Sequence, residues 1–349
     1  MKSFLRYLLS LFGLEERDSL FKEFDYRFMS NRWKELKDDY GHITEIPKTG
    51  VSKLIKRQND DADLSADEVV LIAENIRHYQ NPDGGWGKRG HFRKEFNKEE
   101  LKNIYQNNKF FDYSRGDSDF DNNCTWGHIE YLAEVHYLTQ DELFRDSIID
   151  GVEYIVEAQH ENGSWENKNH PHITFNDGVM PGVMQLLHKI IHNTDNRYDF
   201  LDEITGELDL QKVYDKGLDI ILETQIVRDG ELRIWAQQHD HDTLEPVWGR
   251  SYEMPAYATS ESVDVLEFLE LHLSTNPDDD RVQESFDSAV DFLREIKQDD
   301  GTWGRFHHLE DLRPIFADRD GIITYDIEDL GDERRYGYSW FNNSADKFI

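Results

Sequence analysis

The chain has 349 residues, with 72 aspartates and glutamates against 39 lysines and arginines, and its formal net charge is −33. That balance excludes nucleic acid as a partner, because phosphate binding needs a basic patch. Only 38% of residues are hydrophobic but 13% are aromatic, so burial falls heavily on Trp, Tyr and Phe, and so even an acidic coat suits saline surroundings, where charge is screened within ångströms.

In chain order, MKSFLRYLLSLFGLEERDSLF places Lys2 and Arg6 near an apolar run from Tyr7 to Leu14. The run is too short to span a bilayer and lacks the small-residue cleavage site of a signal peptide. Phe4, Leu5, Leu8, Leu9, Leu11 and Phe12 suit one face of an amphipathic helix. Residues 1–65 therefore read as an accessory helical segment without stable membrane insertion, an export or surface-anchoring role being the alternative. Cys124 is the single cysteine, which excludes an intramolecular disulfide. A monomer is the expectation.

Residues 66–349 read as one repetitive region. QNPDGGW at Gln80–Trp86, QHENGSW at Gln159–Trp165 and QDDGTW at Gln298–Trp303 are one polar turn with Gly-x-Trp, and TQIVRDGELRIW ending at Trp235 is a looser copy. The tryptophans lie 79, 70 and 68 residues apart, a period with room for two helices and their connections. Helix-period segments such as ADEVVLIAENIRHYQ, from Ala66, run into these turns. Asn, Asp and Gly then stop the helix in left-handed conformations, and the Trp can fold back over the helix end. The expected fold is all-α: an (α/α) toroid or barrel of helical pairs, with long loops and few short strands. The tryptophans read as core; Lys88, two residues past Trp86, could point inward from a rim.

Several polar segments stand apart from this scaffold. Asp121, Asn122 and Asn123 in FDNNCTWGHIEYLAEV open one helical run, and Asn176 and Asp177 in HITFNDGVMPGVMQLLHKI open another. Such residues serve as helix caps; alternatively Asp121 and Asp177 converge into a hard oxygen site suited to Ca²⁺ rather than Zn²⁺. In AQQHDHDTLEP, His239 and His241 invite a metal reading, but two histidines at this spacing rarely complete a zinc site, and hydrogen-bonded loop histidines fit better. EPVWGRSYEMP sets Arg250 among Trp248, Tyr252 and Glu253: the guanidinium stacks, pairs with Glu253, or faces a substrate. Arg313, Arg319, Arg334 and Arg335 fall within 23 positions of a Tyr- and Gly-containing stretch, as surface ion pairs or as a wall that reads carboxylates.

Taken together, YQNPDGGWGK, DNNCTWGHIEYLAEV, EAQHENGSW, ITFNDGVM, QQHDHDTLEPVWGRSYEMP, SESVDVLEFL and RPIFADRDGIITYDIEDLGDERRYGYSWF resemble, in the same order, the pectate lyases of polysaccharide lyase family 10. The resemblance covers about Ala66 to Phe341 and implies an (α/α) toroid that cleaves α-1,4-linked polygalacturonate by β-elimination with Ca²⁺. It implies that Asp121 and Asp177 hold the metal and that Arg250 takes the proton. It gives substrate contacts to Lys88, Asn122, Asn176, His239, Asp240, Tyr252, Glu253, Arg313, Arg319, Asp320, Arg334, Arg335 and Tyr338. A guanidinium is an awkward base because it stays protonated at ordinary pH; stabilising developing charge is the other role for Arg250. Ser251 and Cys124 stand where alanine is usual in that family, and Arg89 where asparagine is, which bears on subsite preference more than on reaction type. An (α/α) glycoside hydrolase, or a toroid that binds carbohydrate without cleaving it, is the competing reading.

Overall fold

A computed structural model describes residues 66–349 apart from Arg89, residues 108–113, Asn169 and residues 194–195. The accessory segment expected over residues 1–65 lies outside the described residues, as does Arg89. The chain divides into two compact units, one running to Asp119 and including Gly127–Ile155, the other comprising Phe120–Trp126 and Val156–Ile349.

The first unit holds helices α1 (Ala66–Tyr79) and α2 (Lys98–Tyr105), most of α3 (Trp126–Thr139) and α4 (Leu143–Glu157). Asn97 caps α2 by accepting from Glu99 N and Glu100 N, and the Glu100 carboxylate reaches back to Asn97 N, so both sides of a capping box are present. Trp86 is fully buried, its indole N–H donates to Ile76 O at 2.7 Å, and His128 stacks on it at 5.3 Å.

The second unit holds α5 (Val179–His192), α6 (Asp202–Glu207), α7 (Leu210–Glu223), α8 (Thr259–Thr275), α9 (Asp280–Glu295) and α10 (Asp332–Gly337). On α5 the stripe of Val179, Met180, Val183, Met184, Leu187 and Ile190 is buried, and Pro181, Gly182, Leu186 and His188 on its other sides are buried too, so α5 is enclosed over most of its circumference, packing on α7 and α8. On α7 burial is confined to Leu210, Val213, Tyr214, Gly217, Leu218, Ile220 and Ile221, the one-sided stripe of a helix whose other face meets water. α9 is one-sided in the same way and packs on the more enclosed α8. Enclosed and half-exposed helices thus alternate, and the strands are short, such as Glu166–Asn167, His170–Thr174 and Gln238–His239 in one three-stranded sheet.

The Gly-x-Trp turns join these helices. Trp235 donates to Ile221 O at 2.7 Å and Trp303 to Leu293 O at 2.8 Å, so, like Trp86, each folds back on the last turn of the helix before it. The glutamine that opens each turn spans a gap. Gln80 Nε2 donates to Gly84 O and Ser147 O, both at 2.8 Å. Gln159 Nε2 donates to Gly163 O at 3.0 Å and Val213 O at 2.8 Å. Gln225 Nε2 donates to Arg233 O at 2.7 Å and Ser285 O at 3.0 Å. In the last copy Gln298 donates within its own turn, to Thr302 Oγ1. The turn glycines are all left-handed, and two are also crowded: Gly163 has φ +94° and a Cβ there would lie 2.3 Å from Lys216 O on α7, as one on Gly84 would lie 2.1 Å from Asp150 O, whereas at Gly230 and Gly301 it would meet nothing within 4 Å.

The 68-residue interval between Trp235 and Trp303 extends into the loops that follow. In residues 238–247 His239 Nδ1 donates to Leu244 O at 2.8 Å, and in residues 306–315 His307 Nδ1 donates to Leu312 O at 2.7 Å. Asp240 N pairs with Glu245 O, and His308 N with Arg313 O, each at 2.9 Å. Leu244 and Leu312 both have φ 60°, and His239 bridges Pro246 as His307 bridges Pro314. QHDHDTLEPV and FHHLEDLRPI are therefore two copies of one loop.

Gly163→Ala combines a left-handed φ with a backbone clash and should destabilise the protein by about 2 kcal/mol or more. At Gly206, within α6, nothing lies within 4 Å of the added Cβ, and Ala should be neutral or stabilising by about 0.5–1 kcal/mol. Urea denaturation of the two variants checks the contrast; equal midpoints would remove the packing role of Gly163.

Candidate active site

Two 3₁₀ turns, Asp121–Asn123 and Asn176–Gly178, precede α3 and α5 and pack on each other. They share one backbone course: Asn122 has φ 57° and Asn123 64°, while Asp177 has 51° and Gly178 72°. Asp121 therefore matches Asn176, and Asn122 matches Asp177, so the two carboxylates sit one position out of step. Asp121 and Asn176 are buried, whereas Asn122 and Asp177 are half-exposed. Asp121 Oδ1 accepts from Asn122 Nδ2 at 2.6 Å and Oδ2 from Asn167 Nδ2 at 2.7 Å. No side chain caps α5, so the capping role does not account for Asp177. A Cβ on Gly178 would stand 3.2 Å from the Trp126 ring and 3.6 Å from Asn123 Oδ1, which gives this left-handed position to glycine. Thr125, β-branched, has φ 55°, backbone strain of the kind that concentrates at functional sites.

Arg250 lies over a buried carboxylate. Its Nε donates to Glu253 Oε1 at 2.8 Å and its backbone N to Glu253 Oε2 at 2.9 Å, and Nη2 also pairs with Oε1. The Glu253 side chain is fully buried while that of Arg250 is 45% exposed. Gly249 allows this, because a Cβ there would meet Gln238 Oε1 at 2.6 Å and Glu253 Oε2 at 2.7 Å. Partial burial opposes the charge on Arg250, but the hydrogen bond and negative charge of Glu253 outweigh it and raise the pKa further. The guanidinium is 5.1 Å from the centre of the Tyr252 ring, with Arg334 at 4.3 Å and Arg319 at 5.8 Å from the same ring. Stacking and pairing, alternatives in the sequence, are both realised.

From Glu253 a polar chain leads to the 3₁₀ turns. Tyr338 Oη donates to Glu253 Oε1 at 3.4 Å, and its ring lies 4.8 Å beneath the Arg305 guanidinium. Arg305 pairs with buried Glu261 and reaches Asn176 Oδ1 at 3.5 Å. Gln237 Nε2 donates to Glu261 Oε1 at 2.8 Å and Asn176 Oδ1 at 3.3 Å. Burial raises the Tyr338 pKa although Arg305 pulls the other way, so its phenol remains a donor. The exposed face of this chain presents guanidiniums, a phenol and amide or carboxylate oxygens, groups suited to a hydroxylated polyanion and a hard cation.

Arg319 makes a two-pronged pair with Glu333, both contacts at 2.8 Å, and Arg334 shares that carboxylate. Arg313 pairs with Asp311 and stacks on Tyr325 at 3.7 Å, while Arg335 binds Glu328 and Leu330 O. Only Arg319 and Arg334 of the four thus stack on Tyr252. Lys88, in the first unit, is 3.4 Å from Asp119. Asp240 accepts from Asp242 N and Thr243 N, and Asp320 from Ile322 N; both shape their loops. His239 is buried with Nδ1 on Leu244 O and Nε2 accepting from Ala236 N at 3.1 Å, which leaves no ring nitrogen for a substrate or a metal. Glu253 lies beneath Arg250 and orients it.

Arg305, Glu261, Gln237 and Asn167 belong to this constellation, and reading the sequence did not single them out. One signal was present: Trp-Gly followed by a cation occurs at 86–88, 248–250 and 303–305, so Arg305 stands where Arg250 does.

The family described as pectic acid lyase matches residues 80–302 and 280–349. Among solved structures the chain is similar to the family 10 polysaccharide lyase from Cellvibrio cellulosa, at 25% identity and TM-score 0.67, covering 80% of this chain and 89% of that one. It is also similar to an Asp-to-Ala mutant of that enzyme in complex with trigalacturonic acid, at 25% identity and TM-score 0.65, covering 80% and 90%. No curated protein matches. The helical toroid expected from the repeat is the fold these structures share with this chain.

Glu261→Ala strands the mostly buried Arg305 and should cost about 3–5 kcal/mol in urea denaturation; a loss below about 1 kcal/mol would class the pair as a surface one. Burial holds the pKa of His239 down at about 4, whereas an unfolded imidazole titrates near 6.5. The unfolded state then binds more protons between these values, so stability falls as pH drops from about 6.5 to about 4. His239→Gln should flatten that part of the profile, and an unchanged slope contradicts the assignment.

Proposed function

The chain belongs to the pectic acid lyase family, and from that premise we propose that it cleaves α-1,4-linked polygalacturonate by β-elimination, releasing 4,5-unsaturated oligogalacturonides, with Arg250 at the reacting carbon. The observation that supports this most is the exposed guanidinium of Arg250 held over buried Glu253 and linked through Tyr338 and Arg305 to the Asn176–Asp177 turn. The ligand of the similar mutant enzyme, trigalacturonic acid, is of the same substrate class.

In the proposed reaction the C5–H bond of a uronate breaks and its electron pair forms the C4–C5 double bond. The C4–O bond breaks with its pair on oxygen, which takes a proton from water. The proton sits beside a carboxylate and becomes more acidic as the negative charge there is offset. Arg319 and Arg334, presented around Tyr252, supply hydrogen bonds to uronate carboxylates. Arg250 accepts the C5 proton in its neutral form, and Glu253 fixes where the side chain stands.

The oxygen-rich set on the two 3₁₀ turns fits Ca²⁺: carboxylates of Asp121 and Asp177 with amide oxygens of Asn122, Asn123 and Asn176, and no imidazole or thiolate among them. When bound, Ca²⁺ neutralises the uronate carboxylate and so favours loss of the neighbouring proton.

With polygalacturonate and Ca²⁺, the purified protein should give the ultraviolet absorbance of an unsaturated uronide; hydrolysis or mere binding gives none. Arg250→Ala should lower kcat by about 10²–10⁴-fold with little change in KM. Because Glu253 raises the Arg250 pKa, the neutral fraction and the rate should still be climbing above about pH 9. Glu253→Gln should move that limb to lower pH while lowering kcat. A plateau below about pH 8 would remove Arg250 as the base.

A further inference from the structure

A second cluster lies apart from the Arg250 constellation, on the turn after α4 and the small sheet that follows it. His160 belongs to the Gly-x-Trp turn, Glu166 opens the strand Glu166–Asn167, and His241 sits two residues past the strand Gln238–His239. Glu166 and His239 both pair with Ile173 on the strand between them, which brings His241 back towards Glu166. His160 Nε2 is 3.2 Å and His241 Nε2 3.4 Å from the same oxygen, Glu166 Oε2. The two imidazole rings are 4.5 Å apart, and all three ligand atoms lie within 4.8 Å of one another.

The hydrogen bonds behind His241 decide which nitrogen is bare. Ser164 Oγ is 2.7 Å from Asn162 Oδ1, which can only accept, so the hydroxyl proton points there. The hydroxyl oxygen is then an acceptor for the Nδ1–H of His241, 3.2 Å away. Asn162 Nδ2 donates to His241 O at 3.1 Å and lies 3.5 Å from Nδ1, farther than the Ser164 hydroxyl, so the shorter contact sets the proton on Nδ1 and the residue is fixed from both sides. With the proton on Nδ1, Nε2 carries a lone pair, is closed to solvent, makes no hydrogen bond, and faces a carboxylate oxygen. A lone pair and a carboxylate oxygen at that distance repel unless a cation lies between them.

We propose that His160, Glu166 and His241 bind a zinc-class divalent ion that clips the turn Gln159–Trp165 to the loop after Gln238–His239. Bonds of about 2.0–2.2 Å to imidazole nitrogen and carboxylate oxygen in a tetrahedron place neighbouring ligand atoms about 3.3–3.6 Å apart; the His241 contact to Glu166, 3.4 Å, falls in that range and the His160 contact, 3.2 Å, lies just below it. Two imidazoles exclude Ca²⁺, which takes oxygen ligands. Three protein ligands leave one position open to water, and the side chains, 40%, 32% and 24% exposed for His160, Glu166 and His241, let the ion enter from solvent. Ser164 holds His241 in the ligating tautomer in the way outer-shell partners commonly do. Asn167, whose amide donates to Asp121 Oδ2, is next to Glu166, so the clip also steadies the strand that supports the 3₁₀ turn.

The full chain, freed of metal with a chelator, is titrated with Zn²⁺ by calorimetry near neutral pH. One ion should bind per chain, unaffected by millimolar Ca²⁺, and Zn²⁺ at about a hundredfold excess over Kd should raise Tm by several degrees. His241→Ala and Glu166→Gln should weaken binding at least about tenfold, and Ser164→Ala by about ten- to a hundredfold. Asp121→Asn should leave it unchanged. Co²⁺ should give visible tetrahedral absorption bands in the wild type that the His241 and Glu166 variants lack, provided each shows native circular dichroism. Absence of stoichiometric Zn²⁺ binding, or binding that survives both variants, overturns the site. Loss of binding in Asp121→Asn alone would assign the ion to the carboxylate turns and overturn it equally.

Discussion

A side-chain amide does for this fold what a strand ladder does for a sheet. Each Gly-x-Trp turn ends one helix and leaves backbone carbonyls that must find donors away from water. Gln80, Gln159 and Gln225 supply two N–H groups apiece, one to their own turn and one to a carbonyl of the next half-exposed helix. Successive helical pairs are thereby joined by directional bonds as well as by apolar contact. The left-handed backbone of each turn favours glycine and the helix end has to be covered by tryptophan, so Gln, Gly and Trp recur together. In a chain with 38% hydrophobic residues, fixing helix positions with buried amides and indoles compensates for scarce aliphatic surface.

Charge is managed locally. A protein of net charge −33 repels a polyanion at long range, and salt weakens that repulsion. The cationic groups of the site are each held against a carboxylate: Arg250 on Glu253, Arg305 on Glu261, Arg319 and Arg334 on Glu333. These pairs keep guanidiniums at fixed positions on a surface where free ones would be drawn to many acidic neighbours. Glu253 and Glu261 are almost wholly buried, so they position cations without adding much negative surface at the site.

The legible part of this molecule is the part that neighbours in sequence determine. Helical period, Gly-x-Trp turns and the spacing of tryptophans gave the all-α class, and the indole folding back over the helix end is observed at Trp86, Trp235 and Trp303. Arg250 stood out because aromatics and Glu253 surround it within five residues. Composition and spacing left its role open among stacking, pairing and catalysis, and it took the family's motifs to favour one. Arg305 and Gln237 were illegible because their contacts with Asn176 span 129 and 61 positions, and Glu261 because its contacts with Arg305 and Gln237 span 44 and 24. His239 is the hydrogen-bonded loop histidine that its local setting favours, its two nitrogens spent on Leu244 O and Ala236 N; what does not fit is the substrate contact that the resemblance gave it. Its neighbour His241 found partners in a turn about 80 residues earlier, which no local pattern announces.

The paired loops at 238–247 and 306–315 carry an implication for recognition. An imidazole inside each loop ties down a carbonyl five residues on, and a leucine is held left-handed in both, so their shape is set by internal bonds before any ligand arrives. Loops of this kind surrender little conformational freedom on binding. The same lock used twice gives two loops of preset shape in a protein whose own charge denies it long-range attraction for a polyanion.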